Sequence, residues 1–110
     1  MQEITSTLEW DQALSQHQAL LALFGGQQCG VCQVIKPQLE AVFAERFPEM
    51  KLVYVDCQAG GSHLCSGRGI FSLPVVQLYF EGKLFSDFVR AFSIQAVAEA
   101  AARPYRLLNW

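Results

Sequence analysis

Two cysteines separated by two residues, Cys29 and Cys32, follow an apolar run and precede a helical pattern. This order predicts a strand, a short turn and then a helix that begins close to the cysteines. Unpaired backbone N–H groups and the positive end of the helix dipole favour a thiolate at such a position. A cysteine there can have its pKa lowered from about 8.5 to roughly 3.5–7.5, which makes it a strong nucleophile. We therefore predict that Cys29 is a catalytic nucleophile.

The spacing of the two cysteines fits thiol–disulfide exchange. In this reaction a thiolate first forms a mixed disulfide with its target, and a second thiol then releases the product. Residues three apart share one face of a helical turn, so we predict that Cys32 is the resolving thiol and that Cys29 and Cys32 form a redox-active disulfide. Gly30 is expected to permit tight backbone angles between them. Half of a zinc site and a pair of structural thiols are alternatives, because zinc sites also use this spacing.

The composition limits the remaining possibilities. A chain of 110 residues corresponds to one domain, residues 1–110, and 52% hydrophobic content is enough for a compact core. The net charge of -2 and the lack of basic runs argue against nucleic-acid and membrane partners. The N-terminal segment is acidic and lacks the pattern of a signal peptide, so we expect a cytoplasmic location. In a reducing compartment a CxxC pair is typically catalytic or metal-binding.

The hydrophobic pattern predicts nine elements in the order β-α-β-α-β-α-β-β-α. Two predicted boundaries rest on single residues, because Thr7 is expected to cap the first helix and Pro104 to end the last one near residue 102. Residues 104–110 are expected to form an apolar tail that packs on the domain or on a partner. The predicted elements cover residues 2–5, 7–16, 19–24, 32–47, 51–55, 62–66, 75–80, 84–89 and 94–102.

The chain resembles the thioredoxin family over nearly its whole length. The matching motifs are Cys-Gly-Val-Cys at 29–32, Pro37 in the following helix, the strand at 52–56 and Ser-Leu-Pro-Val at 72–75 before a hairpin. The resemblance implies an α/β thioredoxin fold, in which a central mixed β-sheet of about five strands is flanked by about four helices. It also implies a disulfide oxidoreductase that reduces disulfide-containing protein substrates. Its expected partner is an upstream thiol donor such as thioredoxin reductase, because the chain has no cofactor-binding motif and we expect no bound cofactor.

The same resemblance assigns a substrate-binding surface. It implies that Pro74 is preceded by a cis peptide bond and faces the dithiol, and that Leu73 pairs with the extended backbone of a substrate. Gly30 and Val31, between the two cysteines, are expected to belong to this surface. The alternative for Pro74 is that it simply begins a strand.

Several positions depart from the pattern of the family. Gln28 stands where a Trp usually precedes the first cysteine, and Val31 stands where a Pro is usual. Leu23 and Leu52 stand at the positions of a buried Asp and the Lys that pairs with it. Without the acid, Cys32 lacks a nearby base, and apolar surroundings raise the pKa of a thiol. We therefore expect mixed disulfides to be resolved slowly at neutral pH.

A second cysteine pair, Cys57 and Cys65, brackets most of an irregular segment. Some animal thioredoxins are similar in having an extra pair here that can oxidise and mask the active face, which implies a regulatory disulfide. Such a bond is expected to bend or partly unwind the short helix to bring the Cα atoms to about 6 Å. The alternatives are two buried small hydrophobic side chains and, more weakly, a four-cysteine zinc site. His63 is expected to be solvated, and no metal site is predicted.

Two other functional classes are compatible with the sequence. One is a thioredoxin-like binding or adaptor module with weak or no turnover, which would use the groove at Pro74 and the apolar tail. The other is a dithiol oxidant or isomerase, which needs a higher reduction potential than a reductase. For each class the expected oligomeric state is a monomer or a weak dimer.

Overall fold

The computed structural model describes every residue from Met1 to Trp110, and its elements follow the predicted order. None of the four helices combines the length and the apolar character needed to cross a bilayer. The elements are β1 (Gln2–Glu3), α1 (Thr7–Gln16), β2 (Ala19–Gly25), α2 (Gly30–Arg46), β3 (Lys51–Asp56), α3 (Ser62–Gly67), β4 (Val75–Phe80), β5 (Lys83–Val89) and α4 (Ile94–Leu107).

The strands form one mixed sheet in the order β1-β3-β2-β4-β5. The first three are parallel to one another, and β4 and β5 are antiparallel to their neighbours. This is the predicted sheet of five strands with four helices. Because β2 and β3 are parallel neighbours, the loops that follow them leave the sheet at the same edge, and these loops carry Cys29 and Cys57.

The central strand β2 is buried on both faces, which explains why its sequence is continuously apolar rather than alternating. On one face Phe24 packs in a core that includes Trp10, with 5.8 Å between the ring centroids. On the other face Leu21 and Leu23 pack in a second core with Phe43 of α2. Two separate cores therefore hold the sheet between its helices and fix the position of the β2 end.

Helix α1 is capped by Ser6, so the predicted cap at Thr7 was wrong by one residue. The Ser6 hydroxyl oxygen accepts a hydrogen bond from the Glu9 backbone N–H at 3.1 Å, and the Glu9 carboxylate accepts one from the Thr5 backbone N–H at 2.9 Å. Ser6 is favoured over Thr7 because Glu9 lies three residues after Ser6, which is the spacing of a capping box. The hydrogen bonds that the Glu9 carboxylate accepts from Thr5 and Ser6, first of all the one from the Thr5 backbone, lower the pKa of Glu9.

Helix α4 continues through Pro104 to Leu107, so the predicted end near residue 102 was also wrong. Pro104 removes one backbone donor, but the next residue is held by contacts from outside the helix. The Tyr105 ring packs on Phe47 with 5.0 Å between centroids, and the Tyr105 hydroxyl accepts a hydrogen bond from the Glu49 backbone N–H at 3.1 Å. Packing against the end of α2 therefore outweighs the local effect of the proline.

The last residues of the chain fold back on the same domain. The Trp110 indole packs on Tyr105 with 4.9 Å between centroids and donates a hydrogen bond to the Tyr105 carbonyl oxygen at 2.9 Å. The Asn109 carbonyl oxygen accepts a hydrogen bond from the Gln18 side chain at 3.2 Å. Of the two places predicted for the apolar tail, the structure shows the one on its own domain.

Candidate active site

Cys29 occupies the N-cap position of α2, immediately after the loop that leaves β2. Its sulfur accepts a hydrogen bond from the Cys32 backbone N–H at 3.2 Å. This N–H is one of the donors that a helix start leaves without a partner inside the helix, and it lies where a thiolate on Cys29 would gain most from it. The predicted position at a helix N-terminus is therefore realised, although α2 begins at Gly30, two residues earlier than expected.

The two cysteines form a disulfide with 5.3 Å between their Cα atoms. Cys29 is half-buried, whereas Cys32 is completely buried. An incoming disulfide can therefore reach the sulfur of Cys29 but not that of Cys32. This asymmetry fits the predicted division into an outer nucleophile and an inner resolving thiol.

Gly25, unlike Gly30, is closely packed in this site. A Cβ atom added to Gly25 would lie 3.0 Å from Cys32 Cβ, so the residue lets α2 begin directly against the end of β2. The expectation that Gly30 supplies unusual backbone angles is not met. Its φ is not positive, and an added Cβ would meet no atom within 4 Å.

The peptide bond between Leu73 and Pro74 is cis, as the resemblance implies. The next residue, Val75, pairs with Phe24 near the end of β2, which places Pro74 at the sheet edge where the CxxC loop begins. The Pro74 carbonyl oxygen accepts a hydrogen bond from the Arg90 backbone N–H at 2.8 Å. Pro74 is therefore fixed to the end of β5 on one side while it lies close to the dithiol loop on the other.

Apolar side chains surround this part of the surface. Val31 is 57% exposed and Phe71 is 80% exposed, although both are large hydrophobic residues. Leu73 is half-buried and lines a groove together with Phe71, Ile70 and the second cysteine pair. The residues predicted to bind substrate thus lie at an apolar surface rather than in a deep pocket.

Cys57 and Cys65 form a second disulfide with 5.6 Å between their Cα atoms. The expected distortion of the short helix is absent, because Cys65 lies within an intact α3. The turn after β3 makes this possible, since the Asp56 carbonyl oxygen accepts a hydrogen bond from the Gly61 backbone N–H at 2.9 Å. A Cβ atom on Gly61 would lie 2.5 Å from Val55 Cγ1, so the chain can approach β3 this closely only with glycine there.

The two cysteine-bearing loops are joined by hydrogen bonds. The Cys57 backbone N–H donates to the Gly25 carbonyl oxygen at 2.8 Å. The Gln58 side-chain oxygen accepts from the Gln28 backbone N–H at 2.9 Å, immediately before Cys29. The sequence gives no local signal for the role of Gln58, because its partner lies 30 residues away on another loop.

All four cysteines are in these two disulfides, and no group of three or more His, Cys, Asp or Glu side chains is arranged to hold a metal ion. His63 is exposed and lines the same groove as the second disulfide. Leu23 is fully buried, and Leu52 is half-buried against the same core. The positions predicted to lack a buried ion pair are therefore apolar and packed.

Comparison with known proteins places these features in a family. Residues 2–103 match the family model described as Thioredoxin. The chain is 32% identical over 85 residues to Thioredoxin-3 of Dictyostelium discoideum, and the match covers 77% of this chain and 79% of that protein. It is 31% identical over 61 residues to Thioredoxin-like 3-2, chloroplastic, of Arabidopsis thaliana, which covers 56% of this chain but only 32% of the longer plant protein. Among solved structures, a mutant thioredoxin from Halobacterium salinarum superposes with a TM-score of 0.85 at 21% identity, covering 98% of this chain and 93% of that one.

Proposed function

The chain belongs to the thioredoxin family of thiol–disulfide oxidoreductases, and we propose that it reduces disulfide bonds of proteins through Cys29 and Cys32. The observation that carries this proposal is the asymmetry of the pair. Cys29 is accessible at the start of α2 and accepts a backbone hydrogen bond, whereas Cys32 is buried one turn further on. Nucleophilic attack and resolution are thereby assigned to different sulfur atoms.

The reaction cycle follows from this geometry. The Cys29 thiolate attacks one sulfur of the substrate disulfide, forms a mixed disulfide and releases the other substrate sulfur as a thiolate, which takes a proton from water. The Cys32 thiol loses its proton to solvent and attacks Cys29 Sγ, which frees the second substrate thiolate and closes the Cys29–Cys32 disulfide. The substrate gains two electrons and two protons. The protein, in which Cys29 starts as a thiolate, loses two electrons and one proton, and water supplies the other proton.

Protein substrates and a protein donor fit the surface around the dithiol. Exposed Val31 and Phe71 offer apolar area that an extended segment beside Leu73 and Pro74 would cover. Each turnover leaves Cys29 and Cys32 joined in a disulfide, so the cycle requires an upstream thiol donor such as thioredoxin reductase. A reducing compartment such as the cytoplasm is part of the same proposal. The packing of Trp110 on its own domain supports the monomer among the predicted oligomeric states.

A redox titration tests the proposal. The protein is equilibrated in glutathione or dithiothreitol buffers, and alkylation with peptide mass spectrometry reports each cysteine separately. A Cys29–Cys32 pair that titrates at roughly −270 to −220 mV supports a reductase, whereas about −180 to −120 mV would assign an oxidant or isomerase. If the pair never oxidises, the domain is a binding module. As a control, Cys32→Ser should trap a mixed disulfide on Cys29.

We infer a second, regulatory role for the Cys57–Cys65 disulfide. One observation favours it, namely that this bond lines the same groove as Leu73, which is predicted to bind substrate. The loop that carries it is also bonded to the CxxC loop through the Gly25 carbonyl oxygen and the Gln58 side chain. Opening the bond would free the Cys57 loop and so change both the wall of the groove and the support of Cys29.

The regulatory role can be measured separately from catalysis. Cys57→Ala/Cys65→Ala removes the second disulfide and leaves the CxxC pair intact. We expect its KM for a disulfide-containing protein to differ from that of the oxidised wild type. Its reactivity toward a small disulfide, which does not need the groove, reports separately on any change in the support of Cys29. Gln58→Ala, which breaks only the bond to Gln28, is the matched control for the support of the loop. An unchanged KM would leave the pair with a structural role alone.

A further inference from the structure

A buried tyrosine, Tyr54, faces the same side of the sheet as the active-site helix and has no hydrogen-bond partner. It lies in the middle of β3, is only 6% exposed, and its hydroxyl oxygen is buried. Buried polar groups in folded proteins nearly always have a partner, and an unpaired one is costly. The neighbouring Leu52 and Leu23 on this face are apolar and cannot supply one. An unpaired hydroxyl at such a position is available to a partner that appears in another state of the protein.

The ring of Tyr54 lies beside the buried sulfur of the disulfide. A Cβ atom added to Gly25 would lie 3.2 Å from Cys32 Sγ and also 3.2 Å from Tyr54 Cε1, so the two atoms flank the same small gap. Cε1 is bonded to the ring carbon that carries the hydroxyl. In the parallel ladder Tyr54 pairs with Leu23, which fixes it behind the start of α2. The hydroxyl is therefore a polar group that β3 brings to the neighbourhood of Cys32, together with the buried Asp56 carboxylate, which already accepts a hydrogen bond from the Gln58 backbone N–H.

The surroundings of Tyr54 keep its hydroxyl protonated. Burial, and after it the Asp56 carboxylate, raise the pKa of Tyr54 above its usual value. A polar interaction with the Gln33 side chain lowers the pKa, but that side chain does not lie within hydrogen-bond distance of the hydroxyl, and its amide donates to the Gly26 carbonyl oxygen at 3.0 Å. The Lys36 ammonium lies 4.7 Å from the centre of the Tyr54 ring, where it is attracted to the ring face. A phenol in this setting is a hydrogen-bond donor at neutral pH and not a base.

We propose that the Tyr54 hydroxyl donates a hydrogen bond to the Cys32 sulfur once the Cys29–Cys32 disulfide is open, and that it thereby stabilises the resolving thiolate. In the disulfide the Cys32 sulfur is held against Cys29 and carries no charge. After reduction, or in a mixed disulfide, it is released, can turn about its own side-chain bond and can ionise. Hydrogen bonds to charged groups are stronger than those between neutral ones. The donor that is unpaired in the oxidised protein thus gains its acceptor during the reaction.

The path of the proton distinguishes a hydrogen-bond donor at Tyr54 from a general base. When Cys32 ionises, its proton passes to solvent and Tyr54 keeps its own. The hydrogen bond lowers the pKa of Cys32 and raises the fraction of thiolate, but it also makes that thiolate a weaker nucleophile. A base would increase the rate of resolution at low pH only, whereas a hydrogen-bond donor changes the rate in opposite directions below and above the pKa of Cys32.

Tyr54→Phe tests the inference, because it removes the hydroxyl and keeps the ring. The pKa of Cys32 in the reduced protein is read from the Cys32 Cβ chemical shift in a pH titration, and it should rise by about one unit, a tenfold loss of thiolate at neutral pH. Resolution of a glutathione mixed disulfide on Cys29 should slow by about threefold at neutral pH, since the gain in nucleophilicity offsets part of that loss. Well above the pKa of Cys32, the variant should be about threefold faster than the wild type.

Tyr79→Phe is the matched control. Tyr79 is equally buried, but it lies in the core on the opposite face of the sheet and its hydroxyl already donates to the Gln77 side-chain oxygen at 2.7 Å. This variant should leave the pKa of Cys32 unchanged, and the rate of mixed-disulfide resolution should keep its wild-type dependence on pH. Its oxidised form should lose stability, whereas oxidised Tyr54→Phe should not, because only Tyr79 loses a hydrogen bond that already exists.

The inference rests on the proposed Cys29–Cys32 cycle, and the experiment distinguishes the failure of each. If the wild-type pair cannot be reduced and reoxidised, the proposed function is wrong. If the wild type cycles but Tyr54→Phe keeps the wild-type pKa of Cys32, only the role of Tyr54 is refuted. The same conclusion would follow if Tyr54→Phe failed to fold, since the hydroxyl would then be structural.

Discussion

Reduction of the Cys57–Cys65 disulfide should lower the free energy of unfolding by about 2.5 kcal/mol. The cross-linked residues are 8 positions apart, and in the chain-entropy model a loop of this length restricts the unfolded chain by that amount. The Cys29–Cys32 disulfide spans only 3 positions, which corresponds to roughly 1.5–2 kcal/mol. The second disulfide is therefore expected to be the larger contributor to stability, although it is not the catalytic one.

The measurement needs a protein in which only this bond can open. Cys29→Ala/Cys32→Ala provides it, because the remaining disulfide can be compared in its oxidised and reduced forms in the same chain. With a urea dependence of about 1–3 kcal/mol per M for a small domain, reduction should lower the urea midpoint by roughly 1–2.5 M. Tryptophan fluorescence or circular dichroism can follow the transition.

Equal midpoints for the two forms would refute the reasoning. The folded state would then be destabilised by the cross-link as much as the unfolded state is. A loss far above the estimate would have a different meaning, because the native structure itself would depend on the bond. Hydrogen exchange at the amides of α3 (Ser62–Gly67) separates the two cases. Selective loss of protection there would show that reduction unfolds α3 locally, as a redox switch requires.

Three further substitutions test other parts of the structure. Leu23→Asp should shorten the lifetime of a mixed disulfide on Cys29 at neutral pH, because a buried carboxyl with a raised pKa would supply a base near Cys32. The substitution should also lower the free energy of unfolding by about 2–4 kcal/mol. An unchanged lifetime in a time course of alkylation would contradict the role of the carboxyl. Gly30→Ala should raise the free energy of unfolding by about 0.4–1 kcal/mol, since neither its φ nor its surroundings require glycine, and a lower thermal midpoint would show that this view is mistaken. Glu9→Gln should make the stability of the fold less sensitive to acid. A carboxyl whose pKa is lowered in the folded state stabilises the protein at a pH above its usual pKa of 4.5, and this contribution is lost as the pH falls through the folded-state pKa. Parallel curves of stability against pH for the two proteins would exclude it.

The order of the elements could be predicted because it depends on local patterns. Continuous apolar runs marked β2 and β3, and two strand-like runs with a short gap between them marked the hairpin of β4 and β5. The predicted end of α4 failed because a distant contact decides the outcome. Pro104 would end an isolated helix, but Tyr105 is held by the Phe47 ring and the Glu49 backbone, and neither contact can be seen in the sequence of α4.

The active-site residues also differ in whether local sequence patterns could predict them. Cys29 and Cys32 were predictable because a strand, a turn and a helix start are local features, and the fold places them as expected. Gln58 and Tyr54 were not, because their neighbours are set by the parallel register of β2 and β3, which pairs residues about 30 positions apart in the chain. A tyrosine within an apolar strand is a weak signal in the sequence, since it becomes informative only when the structure shows its hydroxyl unpaired.

The parallel register of β2 and β3 also implies that the two disulfides are coupled. Both loops leave the same edge of the sheet, and the Cys57 N–H is bonded to the Gly25 carbonyl oxygen directly behind the CxxC loop. If opening the Cys57–Cys65 bond weakens this hydrogen bond, the support of Cys32 by Gly25 changes with it. By thermodynamic linkage, the state of Cys29–Cys32 must then affect the potential of the second pair by the same free energy. A redox titration that follows each pair in the presence and absence of the other would measure this coupling in both directions, and equal changes are required whatever their size.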